Sequence, residues 1–250
     1  MLGSLSPRAR RIFDEVKGLV LTGAVMLFAG TAIGQPFIVP SGSMEPTLMI
    51  GDEIAAAKYA YGYGRYSAPI GVIPLKGRIL DHAPERGDIV VFALPRDPSE
   101  TYVKRVIGLP GDQIQMQRGE LFINGVQVPR RAAGPATVAL GGIDVPGTKY
   151  IETLPNGRSH DILKIANGPL DDTPVFTVPA DSYFMMGDNR DNSLDSRVAP
   201  DAGGVGFVPA ENLIGRVNRV LFSITPLSGW RDIFTDPAEV RLSRLFHAVH

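Results

Sequence analysis

Leu121-Phe122-Ile123-Asn124-Gly125-Val126-Gln127-Val128 sets an apolar arm on either side of an Asn-Gly pair. Asn-Gly tolerates positive φ at both positions, which is what a two-residue hairpin turn requires, so the stretch predicts two short antiparallel strands. The same pattern extends outward. A second Asn-Gly, at 156–157, separates two further strand-like runs. Upstream, Ile89-Val90-Val91-Phe92 is a buried-type run; a turn with Pro95 and Pro98 leads from it into 101–107, and Gly108-Leu109-Pro110-Gly111-Asp112 turns the chain again. Residues 53–59, 183–186 and 213–224 complete the set. With 28 Gly and 21 Pro among 250 residues, short apolar runs punctuated by turn formers predict a mostly β, antiparallel fold. Residues 130–147, rich in Gly, Pro and Ala, read as an exposed insertion, and 60–85 as an irregular connection.

Composition narrows the function. The net charge is −1 and the basic residues are dispersed, which gives nucleic-acid binding little support. Cysteine is absent, removing disulfides, thiol catalysis and thiolate metal sites while leaving the redox compartment open. Oligomeric state is not specified.

The N-terminus has a different character. No charged residue occurs between Gly18 and Met44, and Gly18 to Gly34 is mostly apolar. A membrane span needs about 20 such residues, so residues 18–38 are expected to form a single transmembrane helix. Residues 1–17, with Arg8, Arg10, Arg11 and Lys17, form the basic flank that stays cytoplasmic. Residues 39–250 then form one extracytoplasmic domain on a single-pass protein of the inner (cytoplasmic) membrane. A cleavable signal peptide is the rival reading, but the apolar stretch is long for one and no clean cleavage pattern follows it. At the far end, 241–246 with Trp230 and Phe234 is a second segment that could touch a membrane surface, although a packed terminal element is the simpler reading.

Immediately beyond the apolar stretch stands Pro40-Ser41-Gly42-Ser43-Met44-Glu45-Pro46-Thr47-Leu48. In extended chain Ser41 and Ser43 face one side, with Gly42 between them permitting close approach by a ligand. Other motifs fail. Gly142 to Lys149 has the Lys and Thr of a phosphate loop in the wrong order. Residues 188–199 place Arg190, Ser193 and Ala199 where a calcium loop needs a ligand, Gly and Glu. The four histidines are scattered, and no Gly-x-Ser-x-Gly elbow occurs. No metal or cofactor is implied. A serine needs a base, and a lysine serves if burial makes it neutral. Lys104 lies in an apolar strand, sharing a face with Tyr102 and Val106, although periodicity alone favours an ordinary outward lysine beside Arg105.

Three stretches together resemble the type I signal peptidases, the bacterial leader peptidases. Residues 40–48 are similar to their nucleophile box. Arg86-Gly87-Asp88-Ile89-Val90-Val91-Phe92, with residues 102–112, is similar to the boxes that carry their lysine. Gly187-Asp188-Asn189-Arg190-Asp191-Asn192-Ser193-x-Asp195-Ser196-Arg197, then Gly206-Phe207-Val208-Pro209, is similar to their last box. The resemblance implies a Ser-Lys dyad protease that cuts preproteins after Ala-X-Ala-like sites at the bilayer. It implies Ser43 as nucleophile, Lys104 as general base, and the Ser43 amide with the Ser41 hydroxyl as oxyanion hole. Ser193 would hydrogen-bond and aim the Lys104 amine, and Asp195 and Arg197 would support that loop. Phe37, Val39, Tyr102 and Val103 would wall the substrate pockets, with Met44 beside the nucleophile. Two features depart from the pattern: a long connection at 198–205, and a single anchor where some members have two. Rival readings are a maturation peptidase with the same dyad and a restricted substrate, a tethered β-domain that binds extended peptides without cutting, and a self-cleaving repressor, for which a DNA-binding domain is lacking.

Overall fold

The computed structural model describes residues 6–32, 34–67, 77–140, 143–166, 168–225 and 240–249. The chain opens with helix α1, Pro7–Ala32. Ser6 caps it, its hydroxyl accepting the Ala9 amide at 3.3 Å, and Pro7 occupies the first turn, where a missing N–H costs nothing. The helix therefore begins inside the segment expected to be a separate basic flank. It also stops short of the expected end. The span 18–38 is not one helix, because Gly34–Ile38 forms strand β1. Pro36 lacks the amide a helix would need and pushes the residue before it into extended conformation. Among the described residues no helix is long and apolar enough to cross a membrane. Trp230 and Phe234 lie outside the described residues.

Fourteen strands are described. After β1 come β2 (Asp52–Ala57), β3 (Ile89–Leu94) and β4 (Asp97–Gly108). Next are β5 (Gln113–Gln117), β6 (Glu120–Ile123) and β7 (Val126–Gln127). Then follow β8 (Arg130–Leu140), β9 (Ile143–Thr153) and β10 (Ser159–Lys164). The last are β11 (Phe176–Thr177), β12 (Ser182–Met186), β13 (Val208–Pro209) and β14 (Leu213–Ser223). They form an antiparallel seven-stranded sheet in the order β1-β2-β14-β3-β4-β12-β13, a three-stranded sheet β10-β9-β8 and a four-stranded sheet β11-β5-β6-β7.

The Asn-Gly hairpin forms as its sequence predicts. Asn124 and Gly125 both take positive φ, 54° and 76°, between β6 and β7. Residues 130–147 correct the expectation of an insertion. They belong to β8 and β9, paired in register from Arg130↔Glu152 to Leu140↔Ile143, with β10 as third strand. Their exposed positions outnumber the buried ones, so the run lacks the apolar signature of a strand although the backbone pairs throughout.

β3 explains how the large sheet carries two cores. All six of its residues are buried. Val91 and Ala93 pack with Val39, Met44, Leu48 and Ile54 on one face, while Val90 and Phe92 pack with Val106, Met185 and Leu213 on the other. A strand covered on both faces reads as a continuous apolar run rather than an alternation. A third cluster, with Ile114, Leu121, Leu154 and Phe184, joins the four-stranded sheet to β12.

Candidate active site

Ser43 and Lys104 reach each other across 61 residues of sequence. Val39 still hydrogen-bonds to Asp52 beyond the end of β1. Ser41 stays extended, and Gly42–Met44 then tightens into a single 3-10 turn. β4 runs beneath, and Lys104 Nζ lies 2.6 Å from Ser43 Oγ. The same amine donates to the Val103 carbonyl at 3.1 Å, which leaves its lone pair for the serine proton when the amine is neutral. Ser41 Oγ is 3.3 Å from Ser43 Oγ, so the two hydroxyls share a side even though the chain between them is turned rather than extended.

The surroundings favour a neutral lysine. Lys104 is only 4% exposed, with the Tyr102 ring centroid 5.5 Å from its amine. Burial lowers its pKa to about 8; the Asp195 and Asp188 carboxylates work against that shift and Arg197 reinforces it. A lysine at that value carries a usable neutral fraction near pH 7, which a solvated one does not.

The loop after β12 holds the nucleophile turn from behind. The Asn189 amide donates to the Ser43 carbonyl at 3.1 Å, and its side-chain amide to the Gly42 carbonyl at 3.1 Å. Asp188 takes Thr47 Oγ1 at 2.5 Å and the Arg105 fork at 2.8 and 2.7 Å. At Gly187 a Cβ would sit 2.4 Å from the Ser43 carbonyl and 2.4 Å from Ser193 Oγ, so only glycine lets the loop come this close. Asp195 is fully buried, gripped by Arg197 at 2.9 and 2.8 Å and by the Gly187 amide at 2.9 Å. Burial alone would raise its carboxyl; Arg197 and that amide overcome the penalty and hold it low. The same balance, with Arg105 as the cation, holds Asp188 low.

Two expectations are corrected. Ser193 is buried beside the site, but its Oγ makes no hydrogen bond to Lys104; the Val103 carbonyl occupies that place on the amine. Met44 does not line the cleft beside Ser43. It is fully buried in the core, where the 3-10 turn at Gly42–Met44 directs it.

Phe37, Val39, Tyr102 and Val103 do line one cleft, of about 650 Å³, together with both serines and Lys104. Ile54 and Val91 form part of its lining; Leu194 comes from the Gly187–Arg197 motif, and Leu170 from a loop that sequence reasoning passed over. Lys164 ties those loops together: its buried amine bridges Asp171 and Asp191. Asn189 and Lys164 are the functional neighbours missed from sequence. Asn189 was visible inside the Gly187–Arg197 motif, whereas Lys164 had no signal. The backbone beside the cleft is open. Among the described residues β1 is paired only with β2, and in β4 only Arg105–Gly108 pairs with β12, leaving Thr101–Lys104 bonded to β3 alone.

Comparison with known proteins gives this geometry a family. Residues 12–222 match the family described as signal peptidase, peptidase S26. The chain belongs to that family. It is 44% identical to signal peptidase I of Rickettsia typhi over 230 residues, 88% of this chain and 84% of that one. It is likewise 44% identical to signal peptidase I of Rickettsia massiliae over 229 residues, 87% and 82% of the two chains. A crystal structure of a signal peptidase I from Enterococcus faecalis is 26% identical and covers 54% of this chain and 97% of its own, with a TM-score of 0.31. The family is one of serine endopeptidases, which accords with a paired serine and lysine at the base of an open-edged cleft.

Proposed function

We propose that this peptidase removes signal peptides from exported preproteins through Ser43 and Lys104. The observation that carries the reading is the 2.6 Å contact between Ser43 Oγ and a lysine amine that burial lowers to about 8. Neutral Lys104 takes the Ser43 proton as Oγ attacks the scissile carbonyl. The resulting oxyanion is met by the Ser43 amide and the Ser41 hydroxyl. Protonated Lys104 then gives its proton to the leaving amine, and the acyl-enzyme is hydrolysed by a water that neutral Lys104 activates. Asn189, Asp188, Asp195 and Arg197 position the turn and the amine without reacting.

The substrate enters as an added strand. The open edges of β1 and of Thr101–Lys104 supply backbone groups for an extended peptide, and the apolar walls between them select its side chains. Small residues of the Ala-X-Ala kind suit a cleft whose floor is closed by Ile54, Val91 and Val39.

Helix α1 is the anchor of residues 39–250 to the bilayer. From Gly18 to Ala32 it carries no charge, a length of about 22 Å. Leu19, Val20, Leu21, Val25 and Met26 stand exposed on it. The basic residues Arg8, Arg10, Arg11 and Lys17 all precede that stretch, which orients the N-terminus to the cytoplasm and the catalytic domain outside it. Preproteins that hold their own apolar segment in the same bilayer then meet Ser43 at raised effective concentration.

The test is cleavage of a purified preprotein in detergent by the intact chain, Ser43→Ala and Lys104→Met. Cutting after an Ala-X-Ala site by the intact chain alone is expected. Cutting that survives Lys104→Met would place the base elsewhere, and binding without cutting by the intact chain would make it a tethered receptor for extended peptides.

A further inference from the structure

A second cavity, of about 550 Å³, shares no lining residue with the catalytic cleft. Arg105 lines it while its neighbour Lys104 lines the catalytic cleft, since successive side chains of a strand face opposite ways. Arg158, Arg216 and Arg219 surround it, and Asp88 is the one carboxylate among its lining residues. Asp88 is shared: Arg158 reaches it at 2.7 Å and Arg216 at 3.8 Å. Arg158 also meets Glu85 on its outer side, and Arg105 is held by Asp188. Arg219 donates to the Phe246 carbonyl at 3.1 Å and Arg216 Nε has no hydrogen-bond partner, so positive charge remains in excess around the space.

His160 supplies an independent sign of a ligand. It lines the cavity with its side chain only 2% exposed, and neither ring nitrogen is hydrogen-bonded. The nearest carboxylates stand 3.5 Å away on Glu152 and 3.9 Å away on Asp188, each already paired with an arginine. Buried polar groups without partners are rare in folded chains. An oxyanion entering this space would give the imidazole and Arg216 Nε the acceptor each lacks.

Its position suggests where such an anion comes from. Arg216 is in register with Ala57, and Ala57 with Gly34. Two strand spacings therefore put Arg216 only about 10 Å from the start of β1, close to the last helical residue, Ala32. Leu242, Leu245 and Phe246 are exposed on the segment that leads to Ala248 and Val249 at the rim. We propose that this cavity binds a phosphate group, through Arg158, Arg216, Arg219 and His160, at the height where α1 leaves the bilayer. A phospholipid headgroup and free phosphate share that chemistry; the lipid source rests on α1 being the anchor, whereas the site itself does not.

The test uses the full chain with isotope-labelled histidine, its His160 ring signals assigned by His160→Gln. Inorganic phosphate is titrated in neutral detergent at constant ionic strength. The chain is then placed in phosphatidylcholine nanodiscs with and without phosphatidic acid. A saturable movement of the His160 signals, at least tenfold weaker in affinity in Arg216→Gln/Arg219→Gln, is expected. A response to both ligands supports the site with free phosphate as an occupant, and a response to phosphatidic acid alone supports the headgroup. Movement no larger than matched chloride produces, or unchanged in the double variant, overturns the site. Preprotein cleavage is read on the same samples: cleavage without any His160 response sinks the cavity and leaves the peptidase standing, while a His160 response without cleavage does the reverse.

Discussion

Replacing Lys104 by arginine separates a base from a charge. Arginine keeps the positive charge near Asp195 and Asp188 but stays protonated across the whole working range. The magnitude follows from the site. With the amine near 8, about one enzyme molecule in eleven holds it neutral at pH 7 and about ten in eleven at pH 9. The acylation rate should therefore rise about tenfold between those values and level off above them. A solvated lysine near 10.4 would be neutral in only about one molecule in 2,500 at pH 7, and its rate would still be climbing at pH 9. Burial of the side chain beside Tyr102 and Val103 thus supplies most of the base at neutral pH. The assay is single-turnover cleavage of a preprotein from pH 6 to 10, for the intact chain and Lys104→Arg. The intact chain should show a limb with its midpoint near 8, and Lys104→Arg should lose at least the 10²–10⁴-fold that general-base catalysis contributes. A flat profile, a midpoint above 10, or an arginine variant within tenfold of the intact chain would refute the neutral-lysine reasoning.

Three further outcomes are expected. Ser41→Ala should lower kcat by about 10²–10³-fold, some 2.7–4 kcal/mol of barrier, with KM little changed; a rise in KM alone would make Ser41 a binding group. Met44→Ala should cost about 2–5 kcal/mol of stability, read by urea unfolding, because Met44 is core, and cleavage-site preference should stay as it was; a changed preference with unchanged stability would return Met44 to the substrate cleft. His160 is held down to about 4, first by burial and then by Arg105, whereas the unfolded imidazole titrates near 6.5. Between those values the unfolded chain binds the extra proton, so stability should fall as pH drops from 6.5 toward 4, by up to about 3 kcal/mol. Urea midpoints at pH 7 and 4.5 should differ less in His160→Gln than in the intact chain; an equal difference would assign the acid sensitivity elsewhere.

What could be read from sequence depended on whether one short stretch carried its own cause. Asn124-Gly125 set a turn by backbone tolerance alone, and β6 and β7 followed. β3 announced itself because both faces are buried. β8 and β9 did not: their stability comes from register against each other and β10, and Gly134, Pro135 and Pro146 disguise strands as a loop. At the site, Ser43 and Lys104 were legible from motifs, but their 2.6 Å approach arises from how β1 and β4 are placed in one sheet. Met44 and Ser193 were misread for a related reason. A motif names neighbours but not where each side chain points, so it foresees neither the 3-10 turn that buries Met44 nor which acceptor, Ser193 or the Val103 carbonyl, meets the Lys104 amine. Lys164 was silent because its partners, Asp171 and Asp191, are far from one another along the chain.

The pairing of β1 with β2 from Gly34↔Ala57 to Ile38↔Glu53 has a mechanical consequence. From Gly34 to Ile38 the chain leading to the nucleophile is laddered to its neighbour, so that run has almost no slack. At about 3.3 Å per residue, the run from Gly34 to Val39 fixes Ser43 at a set height above the start of β1, as the arm of a depth gauge fixes its tip. On an anchored chain, such a gauge selects by distance as well as by side chain: a preprotein with a suitable Ala-X-Ala sequence a turn too high or too low would pass uncut.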